Sequence, residues 1–416
     1  MRRLEKMSAD IPVAPPGWHY DDDTGALMRD VVHRMGCRCH NWDYCGRGAY
    51  QITITLADRR AHLLGALGYE KGRGAFVALT ELGQLVESFV QRVPEFSPEI
   101  DVLGVQVMPD HLHVVLRVNR SMKKPVGYAI RGLKGAATKA YWATLGFSAE
   151  ARGACAPGLK SPGPLFAEGY VDTILFDKAA IDRELAYLAD NPRRLWEKRA
   201  HPELFTVLRD LPVDLGGGVV GHFSAIGNHH LLKASSILQV QCSRRFFVYQ
   251  RDGKGAILKD REPRVASDEF RATSEALLDE AAHGAVLVSP CISEGEREIA
   301  RRAFMAGYKV ITLSNKGFPS LYKPGGKLFD QCAAGNLLML APVGWPYLPG
   351  EKKMTRLDAC VLNRLAQMLS GEGAIEIAYR GVVPSQIESL AREAVGARAD
   401  RAPGRPDSRR DSELMV

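Results

Sequence analysis

The stretch Val107-Met108-Pro109-Asp110-His111-Leu112-His113-Val114-Val115-Leu116 reads as the end of one strand, a tight turn and the start of another. Asp101–Met108 and His113–Val118 are the expected strands, joined through Met-Pro-Asp. Successive side chains on a strand point to opposite faces, so His111 and His113 share one face while Leu112 turns into a core. Two imidazoles on one rigid face make half of a divalent-metal site. Taken alone, the pair is equally compatible with two histidines on a sheet face that hold nothing.

Working outward, Tyr50-Gln51-Ile52-Thr53-Ile54-Thr55-Leu56 alternates with period two and predicts a half-buried strand. Leu82, Leu85, Val86 and Phe89 fall on one side of a helix expected from Leu79 to Val93. A second helix is expected from about Val126 to Leu145, displaying Arg131, Lys134 and Lys139 outward. Those three cations form a candidate strip for a DNA backbone or, equally, a solvated helix face. A Gly/Pro-rich loop spans Gly153–Pro164, followed by a strand at Tyr170–Phe176 and a helix from about Lys178 to Asn191, which Pro192 should stop. Hairpins interleaved with helices point to an α+β sandwich rather than a doubly wound sheet.

The last of these helices ends in Glu184-Leu185-Ala186-Tyr187-Leu188-Ala189-Asp190-Asn191-Pro192. Tyr187 and Asn191 are four apart and share a helix face. Asn191 could then supply an oxygen ligand while Tyr187 sets its phenol beside the metal. Read without the histidines, the same residues are an Asn-Pro helix stop preceded by a core tyrosine. Tyr170 is a rival nucleophile, or a packing or DNA-stacking residue.

In combination the two segments resemble the single-tyrosine HUH transposases, above all the REP-associated tyrosine transposases. That family shows a Met-Pro-x-His-hydrophobe-His strand followed by a Tyr-x-x-x-Asn-Pro helix end, and both occur here in that order. The Tyr50–Leu56 strand, the Arg131–Lys134 helix and Leu165-Phe166-Ala167-Glu168-Gly169-Tyr170 agree with it, over approximately Gly48–Leu195. The resemblance implies a ferredoxin-like palm, an antiparallel sheet with helices on one face. It also implies Tyr187 as nucleophile and His111, His113 and Asn191 as ligands of Mg2+ or Mn2+. The activity so implied is cutting and rejoining of single-stranded DNA through a 5′-phosphotyrosine, near hairpin-forming repeats, by a monomer or homodimer. Two alternatives remain open: a transposase-derived DNA-binding protein without turnover, and a protein whose main activity lies in its carboxy-terminal unit.

That unit is expected to begin after Gly216-Gly217-Gly218. Strands at Ala285–Ser289, Lys309–Leu313 and Asn336–Ala341 alternate with helices near Ser293 and at Lys327–Ala334, the pattern of a parallel sheet with crossover helices. A final helix from Thr355 to Leu369 would pack on it. Ser289-Pro290-Cys291-Ile292-Ser293-Glu294-Gly295-Glu296 crosses from a strand end to a helix amino terminus, where anions are often held, and Asn315, Lys316 and Gly317 would line the same crevice. Tyr322-Lys323-Pro324 and Ala334–Leu338 loosely resemble the Rossmann-like unit of DNA-processing protein A, which holds single-stranded DNA. No complete glycine fingerprint accompanies them. The expected organisation is an arm at 1–47, the palm at 48–215, a smaller α/β Rossmann-like domain at 216–395 and a disordered tail at 396–416.

Bulk properties fit this outline. The 416 residues exceed one ordinary core, and a net charge of +7 suits a polyanionic partner without establishing one. No apolar run approaches the roughly eighteen residues of a membrane helix, and the amino terminus lacks the apolar stretch of a secretory signal, so a cytoplasmic location is expected. The eight cysteines are scattered and are expected to be reduced thiols. Cys37, Cys39, His40 and Cys45 offer soft ligands for zinc, yet lack the two-knuckle spacing of zinc fingers. The adjoining His40-Asn41-Trp42-Asp43-Tyr44 is expected instead to anchor the arm to the sheet.

Overall fold

The computed structural model describes residues 18–20, 27–29, 39, 41–147, 162–241, 247–248, 265–266, 268–319, 321–347, 354–371 and 383–397. Most of the expected arm, most of the Gly/Pro-rich loop and nearly all of the expected tail lie outside them. The chain divides into two compact units, Met1–Trp196 and Glu197–Val416. Among the described residues no helix is long and apolar enough to cross a membrane.

The first unit runs β1 (Gly48–Thr55), a hairpin of β2 (Gly65–Glu70) and β3 (Gly74–Leu79), α1 (Glu81–Gln91), β4 (Ile100–Met108), β5 (His111–Val118), α2 (Val126–Thr144), β6 (Val171–Leu175) and α3 (Lys178–Ala200). β1, β4, β5 and β6 form an antiparallel sheet in the order β4-β5-β1-β6. On one face Tyr50 lies opposite Leu116, Ile52 opposite Val114 and Ile54 opposite Leu112. These six are buried against Leu82, Val86 and Val90 of α1 and Ile130, Leu133 and Ala137 of α2. Burying each large apolar side chain stabilises the fold by about 1.5–3 kcal/mol. Trp42 and Tyr44 tie the preceding chain to this sheet: Trp42 Nε1 donates to Tyr50 Oη (3.0 Å) and Tyr44 Oη to Asp172 Oδ2 (2.8 Å).

The opposite face pairs Gln51 with Val115, Thr53 with His113 and Thr55 with His111. Its apolar end, Ala49, Val115 and Leu175, is covered by Leu185 and Leu188 of α3. The expectation of helices on one face is therefore corrected. α1 and α2 cover one face and α3 the other, because this second face carries an apolar patch of its own. Gly104 of β4 makes room for the helix: a Cβ there would lie 2.5 Å from Leu185 Cδ2. Pro192 does not stop α3, which continues to Ala200. A proline interrupts one helical hydrogen bond by lacking an N–H, and here Asp190 spans the step through ion pairs with Arg193 and Arg194.

In the second unit β7 (Leu208–Asp214), β8 (Val220–Gly227) and β9 (Ile237–Gln239) precede α4 (Asp268–Ala282). Then come β10 (Val286–Ser289), α5 (Glu294–Met305), β11 (Val310–Leu313), α6 (Gly326–Ala333), β12 (Leu337–Pro342), α7 (Arg356–Ser370) and α8 (Pro384–Ala394). The six-stranded sheet has the order β9-β10-β11-β12-β8-β7, with β9 to β12 parallel and β8 and β7 antiparallel. Val361, Leu362 and Leu365 of α7 bury one face, and Phe270 of α4 with Ile299 and Ala303 of α5 bury the other. The boundary expected at Gly216 moves upstream, because β7 hydrogen-bonds to β8. Gly216, Gly217 and Gly218 all have positive φ (82°, 60° and 75°) and form the turn of that hairpin.

Gly104→Val should press on Leu185 and unseat α3. The expected loss is about 1–3 kcal/mol in urea unfolding; unchanged stability would mean that α3 is not seated through this glycine.

Candidate metal and nucleophile site

β5 places His111 and His113 side by side, with Nε2 atoms 3.1 Å apart and ring planes at 89°. Each ring is oriented from behind. His111 Nδ1 lies 2.6 Å from Asp110 Oδ1, and Asp110 Oδ2 accepts from Arg59 Nε at 2.7 Å. A carboxylate only accepts, so Nδ1 carries the proton and the Nε2 lone pair of a neutral His111 faces His113. Burial alone would raise the Asp110 pKa, but the hydrogen bonds from His111 and Arg59 outweigh it and hold the carboxyl far below the usual range. His113 is buried, with Nδ1 2.9 Å from Thr53 Oγ1 and 3.0 Å from Gln51 Nε2.

These residues fit a divalent ion. An octahedral cation about 2.1 Å from each nitrogen holds neighbouring ligand atoms roughly 3.0 Å apart, close to the spacing of the two imidazoles. Asn191 is 7% exposed, and its Nδ2 has no hydrogen-bond partner among the described residues. The two ends of an amide are interchangeable in such an assignment, so a buried, unsatisfied amide end suits a carbonyl oxygen turned toward a cation. The described residues contain no group of three or more His, Cys, Asp or Glu able to hold a metal. Any metal held here would draw on the two imidazoles and on an amide or other oxygen donor.

α3 brings Tyr187 to the same side of the sheet. Its ring centroid is 6.1 Å from that of His113, at 73°, and the residue is 40% exposed. Burial raises its pKa; Arg194 opposes the rise, while Glu184 and Asp190 add to it. Tyr170 packs instead against the core beneath the opposite face. The structure thus gathers His111, His113 and Tyr187 and leaves Tyr170 apart. Sequence reasoning missed Arg59, Thr53, Gln51, Glu184 and Arg194. The last two were findable, because Glu184, Tyr187, Asn191 and Arg194 follow a 3-4-3 spacing that makes one helical stripe.

The three expected DNA-binding cations separate. Arg131 and Lys139 are exposed on α2, whose apolar side packs on the face away from the histidines. Lys134 does not point outward: its Nζ donates to the carbonyls of Ala167 (2.5 Å) and Gly169 (2.7 Å), and burial lowers its pKa. It clamps a strap that lies along the end of β1, where Ala167 N donates to Thr55 O at 2.9 Å. One signal went unread: between His111 and Ala149 there are seven Lys and Arg residues and no Asp or Glu. Of the proposed zinc group, Cys37 and His40 lie outside the described residues.

In the second unit the expected anion seat is already filled. Ser293 caps α5 by accepting from Glu296 N (3.1 Å), and the buried Glu296 accepts from Ile292 N (2.7 Å). Nearby, Asn315 Nδ2 lies 3.5 Å from Asp358 Oδ2.

No protein-family model matches this chain. An uncharacterized protein of Haemophilus influenzae (strain ATCC 51907 / DSM 11121 / KW20 / Rd) is 26% identical over 93 residues, 22% of this chain and 48% of that relative. The chain thus spans about half the length of the curated relative it matches. Among solved structures it is similar to a REP-associated tyrosine transposase bound to a REP hairpin, at 17% identity over 37% of this chain and 72% of that one, TM-score 0.26. It is also similar to a putative transposase from Deinococcus radiodurans R1, at 13% identity over 37% of this chain and 95% of that one, TM-score 0.22.

Lys134→Met should leave the Ala167 and Gly169 carbonyls unpaired and cost about 1–3 kcal/mol in denaturant unfolding. Weaker DNA binding with full stability would instead return Lys134 to the DNA-contact strip.

Proposed function

We propose that the protein cuts and rejoins single-stranded DNA through Tyr187, on an HUH-type ferredoxin-like palm formed by the first unit. The observation that carries this reading is the meeting of His111, His113 and Tyr187 on one face, contributed by a strand and a helix far apart in the chain. The buried, unsatisfied amide of Asn191 one turn beyond Tyr187 supports it. So do the exposed Arg131 and Lys139 of the segment 111–149, which suit a phosphate backbone. Arg131 and Lys139 would contact DNA away from the cut bond.

In this reading His111, His113 and Asn191 hold Mg2+ or Mn2+, with Asp110 and Thr53 fixing the imidazoles from behind. The bound ion would polarise a non-bridging oxygen of the scissile phosphate. Tyr187 gives up its phenolic proton and its oxygen bonds to phosphorus. The bond to the 3′ oxygen breaks, and that oxygen takes a proton and leaves as a hydroxyl. The phosphotyrosine keeps the energy of the broken ester, so a 3′-hydroxyl can attack it, restore the strand and return the phenol without ATP. The strand therefore stays attached to Tyr187 between the two steps. The substrates are single strands bearing hairpin-forming repeats. The second unit, with parallel strands covered by helices on both faces, supports a Rossmann-like accessory role toward nucleotide or single-stranded DNA.

Incubation with labelled hairpin-bearing single strands and Mn2+ should yield a covalent protein–DNA adduct. Tyr187→Phe should lower it at least about a thousandfold while retaining binding, and Tyr170→Phe should leave it. An adduct that survives Tyr187→Phe overturns the assignment, and binding without any adduct makes the protein a DNA-binding module.

Removing the carboxylate behind His111 tests the metal separately. Asp110→Asn should weaken Mn2+ binding roughly 10–100-fold, read by electron paramagnetic resonance titration. Undiminished affinity would place the ion elsewhere.

A further inference from the structure

Tyr187 is an exposed side chain on α3, and a nucleophile that roams among rotamers must be caught in the productive one. Its ring meets His113 edge-on at 6.1 Å on one side. Arg194 also approaches it, with Cζ 5.4 Å from the ring centroid. Seven residues are close to two helical turns, so Arg194 falls on the stripe of Tyr187. Its side chain is only 12% exposed, and its Nη1 lies 3.8 Å from Asp190 Oδ2. Asp190 is itself gripped by Arg193 through hydrogen bonds of 2.6 and 2.8 Å. The guanidinium thus lies beside a carboxylate that Arg193 also binds, with its Cζ close to an exposed ring.

We propose that Arg194 is a positioning residue that holds the Tyr187 phenol in the orientation from which its oxygen reaches phosphorus. The inference rests on the strand-cutting reading above. A cation within about 6 Å of a ring centroid stabilises the pair by a factor of roughly 2 to 30. Misplacing a reacting group by about 1 Å can cost about a hundredfold in rate. Loss of Arg194 should therefore appear in the chemical step and not in affinity. A phosphate contact would do the reverse, weakening DNA binding and its salt dependence. Lysine is a poor substitute, because a compact ammonium lacks the plane that lies against a ring.

The experiment uses the full chain with Mn2+ and a labelled hairpin-bearing single strand, in wild type, Arg194→Ala, Arg194→Lys and Tyr187→Phe. Adduct formation at saturating DNA should fall on the order of 10–100-fold in Arg194→Ala, with the DNA Kd within about twofold, and Arg194→Lys should recover only part of it. A second readout does not need turnover. In protein carrying 13C-labelled tyrosine, the Tyr187 ring resonance, identified by its loss in Tyr187→Phe, should shift in Arg194→Ala and relax as a more mobile ring. Should the alanine variant fail to fold, Arg194→Gln keeps part of the buried stem and takes its place. An unchanged rate together with an unchanged resonance overturns the proposal, as does lost affinity with a normal rate at saturation. A wild-type chain that forms no adduct defeats the strand-cutting reading instead, and the resonance then decides by itself whether Arg194 holds the ring.

Discussion

The register of β5 between β1 and β4 is the constraint on which the site depends. Leu112, Val114 and Leu116 are pinned under α1 and α2 by pairing with Ile54, Ile52 and Tyr50. A slip of one residue would turn all three away from α1 and α2 and swing the histidines toward them. At about 1.5–3 kcal/mol for each apolar side chain, that loss would consume a large share of the 5–15 kcal/mol by which ordinary domains are stable. The histidines hold their place because Leu112, Val114 and Leu116, which alternate with them along the strand, are pinned on the other face.

The same face that carries the histidines ends in the apolar patch of Ala49, Val115 and Leu175, and this patch receives α3. One strip of sheet thus does two jobs: its polar half orients imidazoles through Thr53 and Gln51, and its apolar half seats the helix that bears Tyr187. Gly104 permits the close approach of that helix. A larger residue there would have to be accommodated by a shift of Leu185.

Charge is distributed with similar economy. The cations of 111–149 meet no acid within their own segment, yet they serve different ends. Arg117 pairs with Asp101 of β4 (2.8 Å), Lys134 clamps two carbonyls, and Arg131 and Lys139 stay in solvent. In the second unit a carboxylate fills its own helix terminus: Glu296 occupies the amide groups that a bound anion would otherwise use. Composition sets how much charge there is, and packing sets where it remains available.

The sequence by itself determined the period-two strands, the histidine pair on one face, the tyrosine and asparagine on one helical stripe, and the strand–helix alternation from Val286 to Pro342. These are local properties, legible because strand and helix periodicities depend on near neighbours alone. Three readings failed where a local signal met a tertiary partner. Pro192 reads as a stop, but a helix already seated on the sheet tolerates one missing hydrogen bond. Gly216–Gly218 reads as the start of the second unit, but β7 upstream and β8 downstream close it into a turn. Lys134 reads as a surface cation, but two carbonyls 33 and 35 residues away draw it inward. Only the folded chain decided that α3 lies on the histidine face, that Tyr187 and not Tyr170 meets His113, and that Arg194 reaches the ring. Each of those outcomes turns on which surfaces bury each other across long stretches of chain, and sequence periodicity does not specify that choice.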